Sequence, residues 1–182
     1  GIPTIKRYFG LDTARQVRRE NGPASVVTAA NCFAHMEDVH AIVDGIIELL
    51  KPDGVFISES HYLVPLLDTL QYDTIYHEHL RYYSLASLKY LLEMHDLEVF
   101  HARPIASHGG SIRVYAARRG AHPVEASVRH MLAEEPRRMG GDPRDVNALV
   151  AHAVRVVTHL AVVARLGHET VDVGLEAGTL RV

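Results

Sequence analysis

A single cysteine, Cys32, stands among 182 residues, and tryptophan does not occur. One cysteine excludes an internal disulfide, so the fold does not need an oxidising compartment and a cytoplasmic setting is expected. No apolar run approaches the roughly 20 residues of a membrane span, so no membrane partner is expected. The opening stretch "GIPTIKRYFG" lacks the charged start and apolar run of a signal peptide. It also lacks a starting methionine and reads like the middle of a protein. Basic residues are not in excess. Lys and Arg number 19 against 22 Asp and Glu, for a net charge of -3 with histidine neutral. That balance gives no footprint for nucleic acid.

The composition that remains is globular, with 47% apolar and 23% charged residues. The length suits one domain or a domain with an appendage. Thirteen histidines make the charge sensitive to mild acid. "TIKRYF" is a short strand candidate, and "LDTARQVRREN" is a helix stopped by Gly22-Pro23. "ASVVTAANCFAHM" reads as a buried strand running into a small-residue loop. "EDVHAIVDGIIELL" places Val39, Ile42, Val43, Ile46, Leu49 and Leu50 on one helical face. Lys51-Pro52-Asp53-Gly54 has turn chemistry, and "GVFISES" is the next strand. "SLASLKYLLEMH" has leucines at helical spacing. "LEVFHARPI" and "SIRVYAARR" form a hairpin through "ASHGG". After Arg119 the chain turns helical and charged, with Pro136 and "GGDP" marking a loop, and "NALVAHAVRVVTHLAVVARL" has helical spacing. The order predicts an α/β sheet, mostly parallel, with a terminal antiparallel hairpin and C-terminal helices. Ligands of such sheets sit beyond the carboxyl ends of the strands.

One segment is unusual. "YDTIYHEHLRYYS", residues 72–84, holds four tyrosines, two histidines, an aspartate and a glutamate. Three readings stay open for it. Zinc would draw on His77, Glu78 and His79, but H-E-x-x-H needs histidine where Arg81 sits. The reversed H-x-x-E-H needs histidine where Ile75 sits, so no metal is expected. A second reading is a buried polar cluster with satisfied histidines. The third is proton chemistry, with a histidine tuned near neutral pH, Glu78 orienting it and Tyr76 donating to a developing oxyanion.

"YDTIYHEHLRYYSLASLKYLLEMHDLEVF", followed by "HGGSIRVYAARR", closely resembles the C-terminal half of a methyltransferase family that uses S-adenosylmethionine. The family is similar to the sugar C-methyltransferases of antibiotic deoxysugar pathways. Y-x-E-H falls on Tyr76, Glu78 and His79, and H-G-G-S on His108 to Ser111. The F-A-H segment at 33–35 lies upstream, and the likeness spans roughly residues 1–135. It implies an incomplete class I, Rossmann-like methyltransferase sheet over 1–120. A helical appendage, the start of a truncated C-terminal domain, would then occupy 121–182.

The resemblance also implies a reaction. A base removes the proton beside the ketone of a nucleotide-linked 4-keto-6-deoxysugar, and the resulting carbanion takes the sulfonium methyl. His79 matches the base, Tyr76 and Glu78 its neighbours, and His35 a second histidine near the sugar. Asn31, Cys32 and Phe33 match the loop lining the cofactor, and Tyr62, His108 and Ser111 fall where substrate is held. The chain departs from the family in several ways. It lacks a cysteine-rich zinc domain, has no G-x-G-x-x-G, and carries "SESHYL" where a Pro-containing form is common. Asp96 stands where a helix-ending glycine is usual. Residues 168–182 match nothing in the family. The alternative to an enzyme is therefore a non-catalytic truncated remnant that cannot bind cofactor, with self-association through an exposed "ASVVTAA" edge.

Overall fold

The computed structural model describes residues 4–69, 71–74, 76–139, 174–176 and 179–181. The chain divides into two compact units, Gly1–Glu135 and Pro136–Val182. In the second unit the described strands are β5 (Gly174–Glu176) and β6 (Thr179–Arg181), an antiparallel pair. The "GGDP" loop and the helical pattern from Asn147 to Leu166 lie outside the described residues.

The first unit starts with α1 (Leu11–Asn21), which Gly22 ends in the left-handed region at φ 79°, its N–H bonded to the Arg18 carbonyl. "TIKRYF" is not a strand. Its residues run in irregular backbone before α1. The strand β1 (Ala24–Ala30) leads through a short 3-10 turn at Phe33–His35 into α2 (Val39–Leu49). Asp38 caps α2 by accepting the Ala41 N–H at 3.0 Å. Val39, Val43, Ile46 and Leu49 face inward, on the apolar stripe expected. The helix approaches Gly10 so closely that a Cβ on Gly45 would meet the Gly10 carbonyl carbon at 2.9 Å.

The strand β2 (Leu50–His61) begins earlier than its sequence indicates. Lys51-Pro52-Asp53-Gly54 lies within it, accommodated by an irregularity in the pairing with β1 between Ala24 and Val26. After it come α3 (Leu63–Asp68) and α4 (Leu85–Glu93), and then β3 (Leu97–Ile105) and β4 (Ser111–Arg118) as an antiparallel hairpin. The strand order is β1-β2-β4-β3. β1 and β2 are parallel, β2 and β4 antiparallel, so the parallel part of the described sheet is this one pair. Asp96 takes the left-handed conformation at φ 57° that its position required.

Phe33, Phe56, Leu85, Leu88, Leu92 and Leu97 are fully buried and form the core. Phe33 packs edge-on against Phe56 at 5.6 Å and stacks on Tyr83 at 5.7 Å. Ser84 and Ser87 form a reciprocal capping box at the start of α4. The helix α5 (Ala126–Arg138), which contains Pro136 rather than ending before it, brings the buried Glu135 to the same helix start. Its carboxylate accepts the Leu85 N–H and, at 2.9 Å, the Ala86 N–H. An anion there also complements the positive end of the helix dipole.

The two edges of the sheet differ. The outer edge of β3 carries Arg103, Pro104 and an irregularity between Val99 and His101, and Glu125 N–H bonds the Phe100 carbonyl at 2.9 Å. These are devices that blunt an edge. β1 has no proline or charge, and no described residue pairs with its outer edge. Val26 there is 52% exposed. The purified chain is therefore expected to self-associate, and Val26→Lys to shift it toward monomer. Size exclusion with light scattering checks this; a monomeric wild-type chain refutes it.

Candidate active site

Three segments meet beyond the C-terminal end of β2. The first is Asn31–His35, after β1. Asn31 takes φ 52°, and its N–H bonds the Glu59 carbonyl at 2.8 Å, continuing the parallel ladder by one residue. The second is the turn at Tyr76–His79, closed by His79 N–H to the Tyr76 carbonyl at 3.1 Å. An irregular turn is what shows Tyr76 and His79 side by side. The third is the Ser107–Ser111 turn between β3 and β4.

Arg81 ties the first two together. Its guanidinium donates to the Met36 carbonyl and, at 2.8 Å, to the Glu37 carbonyl. The ring centroids of His35 and His79 then lie 4.8 Å apart. His61, at the end of β2, stands 5.1 Å from His79 and 5.8 Å from His108. Four imidazoles thus converge from four segments.

The orientation of His79 follows from its partners. Nδ1 lies 2.8 Å from the Thr74 carbonyl oxygen, which can only accept, so Nδ1 carries the proton and Nε2 holds a lone pair. Nε2 is 3.1 Å from the Tyr76 hydroxyl, which donates to it. Tyr82 O–H donates to the same Thr74 carbonyl at 3.1 Å. This carbonyl takes the part expected of Glu78. The Glu78 side chain is 64% exposed and lies 4.0 Å from His77, itself 90% exposed, so Glu78 does not brace His79 here.

The H-G-G-S turn is dictated by backbone. His108 and Gly109 sit at φ 51° and 73°, and Gly110 at φ 122°. A Cβ on Gly110 would meet Pro65 at 2.7 Å, and one on Gly109 would meet Gln71 at 2.5 Å. Gln71 Nε2 donates to the Gly109 carbonyl at 2.8 Å. Ser111 is fully buried and its hydroxyl donates to the Ser107 carbonyl at 3.2 Å, closing the turn rather than facing a ligand. Tyr62 is also buried, with its N–H on the Gly110 carbonyl at 3.1 Å. Of the three expected substrate groups, His108 alone borders the cavity described next. Beneath the turn, Glu59 and Arg113 face each other across β2 and β4, with Arg113 Nε on Glu59 Oε2 at 2.8 Å. That hydrogen bond holds the Arg113 guanidinium above its ordinary pKa.

A cavity of about 50 Å³ lies between these segments, lined by Asn31, Ala34, His35, Ser60, His61 and His108. Phe33, expected at the cofactor, is a core side chain with no exposed surface. Cys32 is half-buried, and burial pushes its thiol above its ordinary pKa, so it is not a thiolate nucleophile. Burial likewise lifts the Tyr83 hydroxyl to about 12. Ser60, Thr74, Arg81 and Tyr82 escaped the sequence reading. The His61 pKa is lowered, first by burial and then by His79, His108 and His35. Among the described residues no group of three or more His, Cys, Asp or Glu side chains could hold a metal, and no helix is long and apolar enough to cross a membrane.

Comparison with known proteins agrees with the motifs. The methyltransferase domain family matches residues 4–102, more than half of the chain, and the chain belongs to that family. It is 44% identical over 136 residues to the C-methyltransferase NovU of Streptomyces niveus, which covers 74% of this chain but 32% of that protein. Solved structures similar to it include a SAM-dependent methyltransferase from Anabaena variabilis, at TM-score 0.46 and 12% identity, covering 61% of this chain and 56% of that one. Another is a magnesium protoporphyrin IX methyltransferase from Synechocystis with bound SAH, at TM-score 0.41 and 12% identity, covering 53% and 45%.

The lowered His61 pKa has a definite sign for stability. Folded His61 resists protonation while unfolded His61 does not, so this contribution is complete above 6.5 and is lost as pH falls through that ordinary value. Stability is expected to drop on acidification below this point, and His61→Gln to make the drop shallower. Denaturant midpoints across the pH range check this; an unchanged slope in the variant refutes it.

Proposed function

We propose that this chain is the reacting part of a C-methyltransferase that removes a proton beside a ketone in a nucleotide-linked deoxysugar, in the cytoplasm. The observation that supports this most directly is His79. Its Nδ1–H is committed to a backbone carbonyl, which leaves Nε2 as the nitrogen that can take a proton, with a tyrosine hydroxyl bonded to it. The likeness to a C-methyltransferase supports carbon as the atom methylated.

His79 Nε2 takes the proton from the carbon next to the carbonyl, and the electron pair left behind moves onto the ketone oxygen. Tyr76, 44% exposed, releases its hydrogen bond to Nε2 and turns to that oxygen. The imidazolium that forms keeps its Nδ1–H on the Thr74 carbonyl, which stabilises the charge. His35, with its ring 4.8 Å from that of His79, is the second histidine that would border the sugar. S-adenosylmethionine is the methyl donor that membership of the family indicates, and when bound it supplies an electrophilic methyl group. Asn31 and Cys32, in the loop after β1, are the described residues that would hold it. Side chains for its ribose and methionine portions are not found among the described residues.

His79→Asn is expected to lower proton–deuterium exchange at the sugar carbon about 10²-fold or more, measured without cofactor on thymidine diphosphate-linked 4-keto-6-deoxyglucose. The exposed His77 is the control, and His77→Asn should change the rate far less. Wild-type exchange in His79→Asn would overturn the assignment of the base.

A further inference from the structure

We infer that the Ser60 hydroxyl is a binding group for a neutral oxygen of the ligand, a hydroxyl or carbonyl, held beside the four histidines. The inference deepens the proposed function and depends on it only for the identity of the whole ligand.

Ser60 is 2% exposed, and its Oγ is buried with no hydrogen-bond partner. A buried hydroxyl in that state forfeits the bonds it would make to water, a cost comparable to a lost hydrogen bond. Ser58, two residues earlier on the same face of β2, is in the same state. The two differ in surroundings. Ser60 lines the cavity of about 50 Å³ and Ser58 does not. Adjacent strand residues point to opposite faces, yet Ser60 and His61 both reach this cavity because it lies across the end of β2. The residue that carries this unpartnered hydroxyl therefore borders space that a ligand group can enter.

The lining also limits what enters. It contains three imidazoles, one amide and one hydroxyl, all of which both donate and accept when neutral. It contains no carboxylate to hold a cation and no Lys or Arg to hold a phosphate. The volume suits a hydroxyl-bearing carbon and its neighbour rather than a whole ring. The chemistry matches the edge of a polyhydroxylated or keto-bearing ring, with any charged portion of the ligand lying outside.

The test compares Ser60→Ala, Ser58→Ala and wild type in the full chain. The readouts are the thermal midpoint, calorimetric binding of thymidine diphosphate-linked 4-keto-6-deoxyglucose, and proton exchange in that compound. Both variants lose an unpartnered hydroxyl, so both should melt at or above wild type. Ser60→Ala alone should bind the probe about 10-fold more weakly, the size of one hydrogen bond. At saturating probe it should still exchange the proton. Wild-type affinity in Ser60→Ala, an equal loss in Ser58→Ala, or a clearly lowered midpoint in Ser60→Ala would each overturn the inference. His79→Asn separates the two readings: it should keep probe binding and lose exchange. If it exchanges normally while Ser60→Ala binds weakly, the binding group stands and the assigned base falls.

Discussion

β2 is hydrogen-bonded along both edges from Phe56 to Glu59, parallel to β1 on one side and antiparallel to β4 on the other. Three of the four segments of the candidate site are fixed by where this strand stops. Asn31 is placed by the Glu59 carbonyl, the H-G-G-S turn by the pairing of His61 with Ser111, and His61 by the strand itself. Side chains in β2 complete the arrangement, because the Glu59–Arg113 pair braces the two strands just before they part. A shift of one residue in the β2–β4 register would carry His61 to the other face of the sheet and dismantle the cluster.

The site relies on main-chain groups more than on side chains. The tautomer of His79 is set by a carbonyl, Arg81 joins two segments by bonding two carbonyls, and Gln71 secures the glycine turn through a third. Such contacts orient a base without adding a second titratable group beside it.

The fold was legible where burial sets the period. The helix of residues 39–49 follows from apolar spacing, and the end of the helix of residues 11–21 and the start of the hairpin from Gly22 and Asp96 at left-handed positions. "TIKRYF" failed because its alternation is not matched by a partner strand, and Pro52 was read as a turn although the irregular start of β2 tolerates it. In the site, the Y-x-E-H and F-A-H segments were readable as titratable side chains drawn together. The Thr74 carbonyl was not, since a backbone acceptor leaves no residue type to notice. Ser111 and Tyr62 misled for the opposite reason. They belong to recognisable segments, yet the Ser111 hydroxyl closes the turn and Tyr62 is buried with its backbone N–H on the Gly110 carbonyl. Ser60 was silent because a serine in a strand looks the same whether or not it faces a cavity.

The position of β4 has a consequence for the order in which the sheet is built. It is last of the four strands in the chain but lies between β2 and β3. β3 and β4 are joined by residues 106–110, whereas β2 and β4 are separated by residues 62–110. Short loops close at lower entropic cost than long ones, so the hairpin is the local event and its docking on β2 the slow, non-local one. During synthesis β1 and β2 leave the ribosome well before the strand that covers the far side of β2. For that interval Phe56 and Ile57 have a bare edge beside them, and α2 is the covering helix already made. The charged and proline-bearing residues gathered on β3 thus protect the finished sheet, while its centre is guarded only by how quickly the hairpin arrives.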